Sequence, residues 1–233
     1  MKNQKKQIVE ITKRILSLDE GDATKALRRI VIKRDNDPLN PRTEWDNTFK
    51  IYSNCKYLSS DKGAENPVVD YGNSPDKAKF KDGLFALPVY AYVHSGMALS
   101  LSPFNDPWDS GCAGFMYVDK EEFCKAYGLK RFSPRRARRV AEGEIATLQQ
   151  YIDGEVFGFV EQTRESVEDE WVDGESVWGF YGEDYIGDMC ADASGYEKGT
   201  IICEDDGLSI SKGEVTMKVL KECYNRVNEK KCA

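Results

Sequence analysis

A chain of 233 residues with 40% hydrophobic and 31% charged side chains carries enough apolar material for a sizeable core. Its net charge of −7 argues against general nucleic-acid binding, and no apolar run approaches the roughly 20 residues of a membrane-spanning helix. The basic start, MKNQKKQIVEITKRILS, has no continuous apolar centre, so it is not read as a signal peptide and a cytoplasmic location is expected.

In chain order, residues 2–17 place Ile8, Ile11, Ile15 and Leu16 at helical spacing, which predicts an amphipathic helix. Residues 19–23 break it, and 27–33 alternate towards a strand. Two prolines within 35–42 predict a loop, after which 45–52 form a strand or a short helix. The polar stretch 59–75 predicts a long surface loop, and 77–82 a short helical turn. Three strands follow, over 86–93, 97–101 and 111–118, with the only histidine in a connection between them. Asp119, with Glu122 three residues on, predicts a capped helix that Gly128 ends. Ser133-Pro134 starts a second helix running to Asp153-Gly154. Residues 155–161 and 171–180 alternate as antiparallel strands joined by the charged loop 163–170. Residues 184–193 predict a short helix and 199–206 a last strand. Val215, Val219, Leu220 and Cys223 give an amphipathic helix over 214–230. The sum is an α+β fold, mainly antiparallel sheet with flanking helices and amphipathic helices at both termini. Its expected organisation is a helical extension over 1–22, a core domain over 23–206 and a C-terminal helix over 207–233.

Charge is segregated along this chain. Residues 1–152 hold 25 Lys/Arg against 20 Asp/Glu, whereas 153–206 hold 2 against 17, a local charge of −15. Such a segment repels nucleic acid and attracts basic surfaces, or it is a solvated face that confers solubility. Just before it, Lys130, Arg131, Arg135, Arg136, Arg138 and Arg139 form a basic cluster at the start of a helix, opposed to the helix dipole. Either nearby carboxylates neutralise these arginines or they face a partner. Without interleaved aromatics they make a weak case for nucleic-acid binding.

The chemistry-bearing candidates sit in the connections of the central sheet, where sites on rigid scaffolds tend to be built. His94 with Asp106 and Asp109 would supply acid–base chemistry, and Cys112 would add a nucleophile. Asp46, Asp106 and Asp109 have the oxygen ligands a divalent cation prefers, but the run Asp106-Pro107-Trp108-Asp109-Ser110-Gly111 is better explained as a turn. No metal site is therefore assigned. The seven cysteines lack metal-ligand spacing and are read as free thiols. No glycine-rich phosphate loop is present, so no cofactor is expected. Tyr90, Tyr92, Phe104, Trp108, Phe115 and Tyr117 form a binding platform or, as their strand spacing favours, core.

Four ordered segments carry a resemblance: NPRTEWDN (40–47), LPVYAYVHSG (87–96), SPFNDPWDSG (102–111) and SVWGFYGEDY (176–185). Over roughly residues 35–185 the chain resembles a family of accessory proteins of phages, plasmids and integrated elements. The residues that carry the likeness are Trp45, Asp46, Asn47, His94, Ser95, Gly96, Pro107, Trp108, Asp109, Ser110, Gly111 and Trp178. The family pattern has glutamine where this chain has Cys112, which weakens the case for a cysteine nucleophile. The resemblance implies a role in disabling host defences or redirecting host machinery inside a bacterial cell, and no particular reaction. The expectation is a stoichiometric binder, most naturally an inhibitor of a bacterial defence system such as CRISPR, rather than an enzyme. Its surface would comprise Glu161, Glu165, Glu168, Asp169, Glu170, Trp171, Asp173, Glu175, Glu183, Asp184, Tyr185 and Asp188, facing a host or defence protein with a basic surface. The alternative is an enzyme acting on a nucleotide signal or a host protein, with its site around His94, Asp106 and Asp109.

Overall fold

The computed structural model describes residues 27–182 and the backbone of 201–204. The helices expected over 2–17, 184–193 and 214–230, and the candidate residues Glu183, Asp184, Tyr185 and Asp188, lie outside the described residues. The fold is α+β, with antiparallel pairing dominant. The single core expected over 23–206 resolves into two compact units. One is Leu39–Asp153, and the other brings together the segments on either side of it. Pairing between strands more than a hundred residues apart, which no local pattern announces, makes the second unit.

In that second unit, β1 (Arg28–Arg34) lies between β8 (Val156–Thr163) and β10 (Ile201–Glu204), and β9 (Val172–Tyr181) pairs with β8 at the sheet edge. β1 runs antiparallel to β8, with Val31 opposite Val160, and parallel to β10. Ile30, Val31, Ile32 and the run Val156–Val160 are buried. β9 carries two register shifts against β8, and its residues are exposed from Val172 to Gly179. Its Trp178 ring lies across Gly158, where a Cβ would overlap the indole, so the glycine makes room for the tryptophan.

The Leu39–Asp153 unit is built on a four-stranded antiparallel sheet. It consists of β2 (Lys50–Ser53), β7 (Ser110–Asp119), β5 (Leu84–Val93) and β6 (Met97–Ser100), in that order. Two helices accompany it, α1 (Lys120–Ala126) and α2 (Pro134–Ile152). Both caps follow the sequence: Asp119 accepts from the amides of Glu121 and Glu122, and Ser133 from that of Arg136. α2 buries Ala137, Ala141, Ile145 and Leu148 along one stripe. That stripe joins Leu87, Val89, Ala91, Met116 and Phe123 in one apolar cluster.

The region 59–82 departs from expectation. A polar composition predicts open loop, yet β3 (Val68–Asp70) and β4 (Lys79–Phe80) pair within it, with one 3-10 turn at Pro75–Lys77 in place of a helix over 77–82. Its few aromatics do the packing. Tyr71 and Phe80 contact Phe115 with ring centroids 6.1 and 5.5 Å apart. Asp76 accepts a 2.8 Å hydrogen bond from the buried Tyr90 hydroxyl.

Candidate functional site

Two groups of candidate residues emerge, one in each unit. In the Leu39–Asp153 unit, His94 stands in the tight turn between β5 and β6, where its amide donates to the Gly96 carbonyl at 3.1 Å. The β5–β7 ladder continues past the strand ends through the Val93 amide and the Asp109 carbonyl, 2.8 Å apart, which sets the β6–β7 loop beside that turn. The His94 Nδ1 and Asp109 Oδ2 are consequently 3.0 Å apart. A carboxylate on Nδ1 holds the proton there and leaves the Nε2 lone pair for proton transfer or ligation. The pair is open to solvent, with 67% of the imidazole and 41% of the carboxylate exposed. Tyr92 stacks near His94, its ring tilted by 27°, and also contacts Phe104.

Asp106 has a different task from Asp109. Its Oδ1 accepts from the amides of Trp108 and Asp109, both at 2.8 Å, and its carbonyl accepts from the Ser110 hydroxyl. Those amides, Asp109 first, hold its carboxyl below the ordinary range. The turn reading of 106–111 is thus the observed one, and it carries Asp109 to the histidine. Cys112 is not activated: burial pushes its thiol up, and the sulfur donates to the Gly114 carbonyl. Among the described residues, no three His, Cys, Asp or Glu side chains converge as a metal site requires. Trp108 corrects the expectation of core, since it is 91% exposed while Tyr90 and Phe115 are buried. The tight turn sends its side chain outward, which strand spacing alone cannot reveal.

The segment holding Trp45, Asp46 and Asn47 has a structural logic that the sequence reading missed. Asn47 donates to the Pro41 and Trp45 carbonyls and ties the loop to itself. Arg42, 8% exposed at its side chain, reaches Asp61, Glu144 and the Phe49 carbonyl. Glu144 in turn accepts from the Thr48 and Phe49 amides, and Asp61 from that of Ile51. Burial raises the Glu144 carboxyl, with Arg42 opposing it. The arginine belongs to the conspicuous P-R-x-x-W-D-N pattern, but its partners are 19 and 102 positions away. Trp45 and Asp46 stay exposed beside this network.

In the other unit, the hairpin of β8 and β9 presents the acidic candidates. Glu165, Glu168, Asp169 and Glu170 are exposed in its loop, and Asp173 and Glu175 on β9. Residues 154–182 contain eight carboxylates and only one cationic side chain, Arg164. Two candidates are turned inward. Glu161 is paired with Arg28 at 3.6 Å, and Trp171 is clamped between the guanidinium groups of Arg29 and Arg164, 4.5 and 4.4 Å from its ring. Trp171 therefore braces the hairpin. Asp169 also accepts from the Ser166 amide within the loop, and Asp173 from the Gln162 side chain. Of the basic cluster on α2, Arg138 meets Glu142 at 3.8 Å and Arg136 lies 5.2 Å from the Tyr127 ring, while Arg135 and Arg139 are exposed.

No family model, no curated protein and no solved structure matches the chain. Among the described residues no helix is long and apolar enough to cross a membrane.

Proposed function

We propose that the protein acts by stoichiometric binding, laying its acidic β8–β9 hairpin into a basic groove that normally holds nucleic acid on a host protein. The observation that carries this reading is the set of six exposed carboxylates, Glu165, Glu168, Asp169, Glu170, Asp173 and Glu175, on one hairpin with a single arginine. Carboxylates spread along an exposed edge strand and the loop before it offer a basic groove the repeated negative charge it evolved to hold, and they steer association. Together with the resemblance to accessory proteins of mobile elements, this favours an inhibitor of a bacterial defence system, such as an anti-CRISPR protein, working in the host cytoplasm.

The test is a tagged pull-down from nuclease-treated host lysate, repeated with Glu168→Gln, Asp169→Asn and Glu170→Gln combined. One stoichiometric nucleic-acid-handling partner, released by moderate salt and lost in the triple variant, is the expected result. Salt-insensitive binding or full retention by the triple variant overturns the reading.

A second reading rests on the 3.0 Å contact of His94 with Asp109, an arrangement suited to a general base acting on a nucleotide signal or a host protein. Its signature is turnover at substoichiometric protein that disappears in a folded His94→Ala variant. Unchanged turnover in that variant removes it.

A further inference from the structure

The sheet edges of the two units are treated differently. In the Leu39–Asp153 unit both edges of the four-stranded sheet are closed by side chains. On β6, the Gln149 amide accepts from the Leu99 N–H at 2.7 Å and donates to the Met97 carbonyl at 2.9 Å. On β2, Asp61 accepts from the Ile51 N–H and returns its own N–H to the Ile51 carbonyl, while the Ser60 hydroxyl accepts from the Ser53 N–H. Plugs of this kind suppress strand addition.

Among the described residues, none plugs β9 in this way. The direction of its free backbone follows from the ladder. The Val156 carbonyl accepts from Asp35 and the Arg164 amide donates to Leu27, so even-numbered residues of β8 turn their backbone towards β1. Strand alternation then points the backbone of the residues opposite them away from the sheet. Gly158 faces Trp178, Val160 faces Ser176 and Gln162 faces Asp173. The N–H and C=O groups of Asp173, Ser176 and Trp178 therefore look outward, and none of them bonds to another described residue outside its own strand pair. Apolar side chains stand beside this open edge: Val172, Val177 and Trp178 are 64%, 44% and 42% exposed.

Resting on the binding role proposed above, we infer that β9 is a strand-addition site for an extended basic segment of the partner protein. Main-chain hydrogen bonds along such an edge supply affinity, and alternate side chains supply specificity. Charge selects the occupant. Asp173 and Glu175, which the register shift between Ser176 and Asp173 turns to opposite faces of β9, and the loop carboxylates would oppose one another if two copies of this chain joined edge to edge, because facing like charges destabilise a strand pair. A Lys-rich or Arg-rich strand instead pairs its cations with them while its backbone completes the ladder.

The test uses the whole chain and two labelled peptides with the same alternating lysine–valine sequence, one of them N-methylated at every backbone amide so that neither of its edges can donate. Both carry the same charge, but only the unmodified peptide can form the whole ladder. Fluorescence anisotropy is expected to give about tenfold weaker binding for the methylated peptide. Hydrogen exchange at the Ser176 and Trp178 amides is expected to slow only with the unmodified one. Ser176→Pro, which removes an outward N–H that no ladder bond needs and leaves every charge in place, should cause a similar loss. Equal affinity for the two peptides, with sensitivity to the Glu168, Asp169 and Glu170 substitutions, overturns strand addition and leaves the acidic surface standing. No binding of either peptide at low salt overturns strand addition together with the attraction to basic polypeptides on which it rests.

Discussion

Arg42 illustrates how a side chain that reads as part of a surface motif acts inside the molecule. Its guanidinium satisfies two carboxylates that also hold backbone amides of the segment entering β2. Removing it strands two largely buried carboxylates. Arg42→Met should therefore cost about 3–5 kcal/mol, the usual penalty for breaking a buried pair, measured by urea denaturation. Combining it with Asp61→Asn and Glu144→Gln should recover part of that loss, and an Arg42→Met change below 1 kcal/mol would show the network to be dispensable. Asp106 makes a prediction in pH. Its folded-state carboxyl is depressed because the ionised form accepts two amides. The stabilisation of the turn is thus complete above the ordinary carboxylate value near ~4 and is lost as pH falls through the lower, folded value. The acid step of the Trp108 and Asp109 amide resonances that is lost in Asp106→Ala should have its midpoint below about 4. A midpoint at or above the ordinary value contradicts this assignment, and so does the same shift in Asp106→Ala.

At the scale of elements, strand β7 shows what a close approach demands. A Cβ on Gly114 would overlap the Tyr52 carbonyl oxygen and lie 2.8 Å from the Ser53 Cα, so β2 has to move to accept any larger residue. Gly114→Ala should cost about 1–3 kcal/mol and speed exchange at the β2 amides, whereas the same change at exposed Gly111 should do neither. Strands β5 to β9 were legible in the sequence because their apolar residues run continuously or alternate between turn residues, and both helix starts because Asp119 and Ser133 cap them. The β3–β4 pair was not, since strands of three and two residues leave no periodicity to detect and only Tyr71 and Phe80 betray the packing. The candidate site was legible in part for the same reason. His94 and Asp109 both lie at strand ends, where a turn is readable, and the acidic hairpin is plain in composition. The inward engagement of Trp171 and the outward display of Trp108 depend on tertiary neighbours that spacing cannot encode.

For the molecule as a whole, the step in charge at residue 153 falls where the chain passes from one compact unit to the other. Every member of the apolar cluster from Phe49 to Leu148 lies within Leu39–Asp153. The Arg42 network and the plugs on both sheet edges lie there as well, so this stretch contains its own core, its own polar supports and its own protection against strand addition. A unit so equipped should fold without the rest of the chain. A fragment spanning Leu39–Asp153 is expected to give a single cooperative urea transition worth at least about 5 kcal/mol, with near-ultraviolet dichroism from its packed aromatics. It should also keep the slow exchange of the Leu99 amide that Gln149 protects. A fragment that lacks the transition would mean that the flanking segments supply stability beyond the contacts within this unit. A fragment that folds would allow the His94–Asp109 pair to be assayed apart from the acidic hairpin. Any turnover it retained would arise within Leu39–Asp153, where a His94→Ala change tests the pair, and any binding it lost would belong to the other unit.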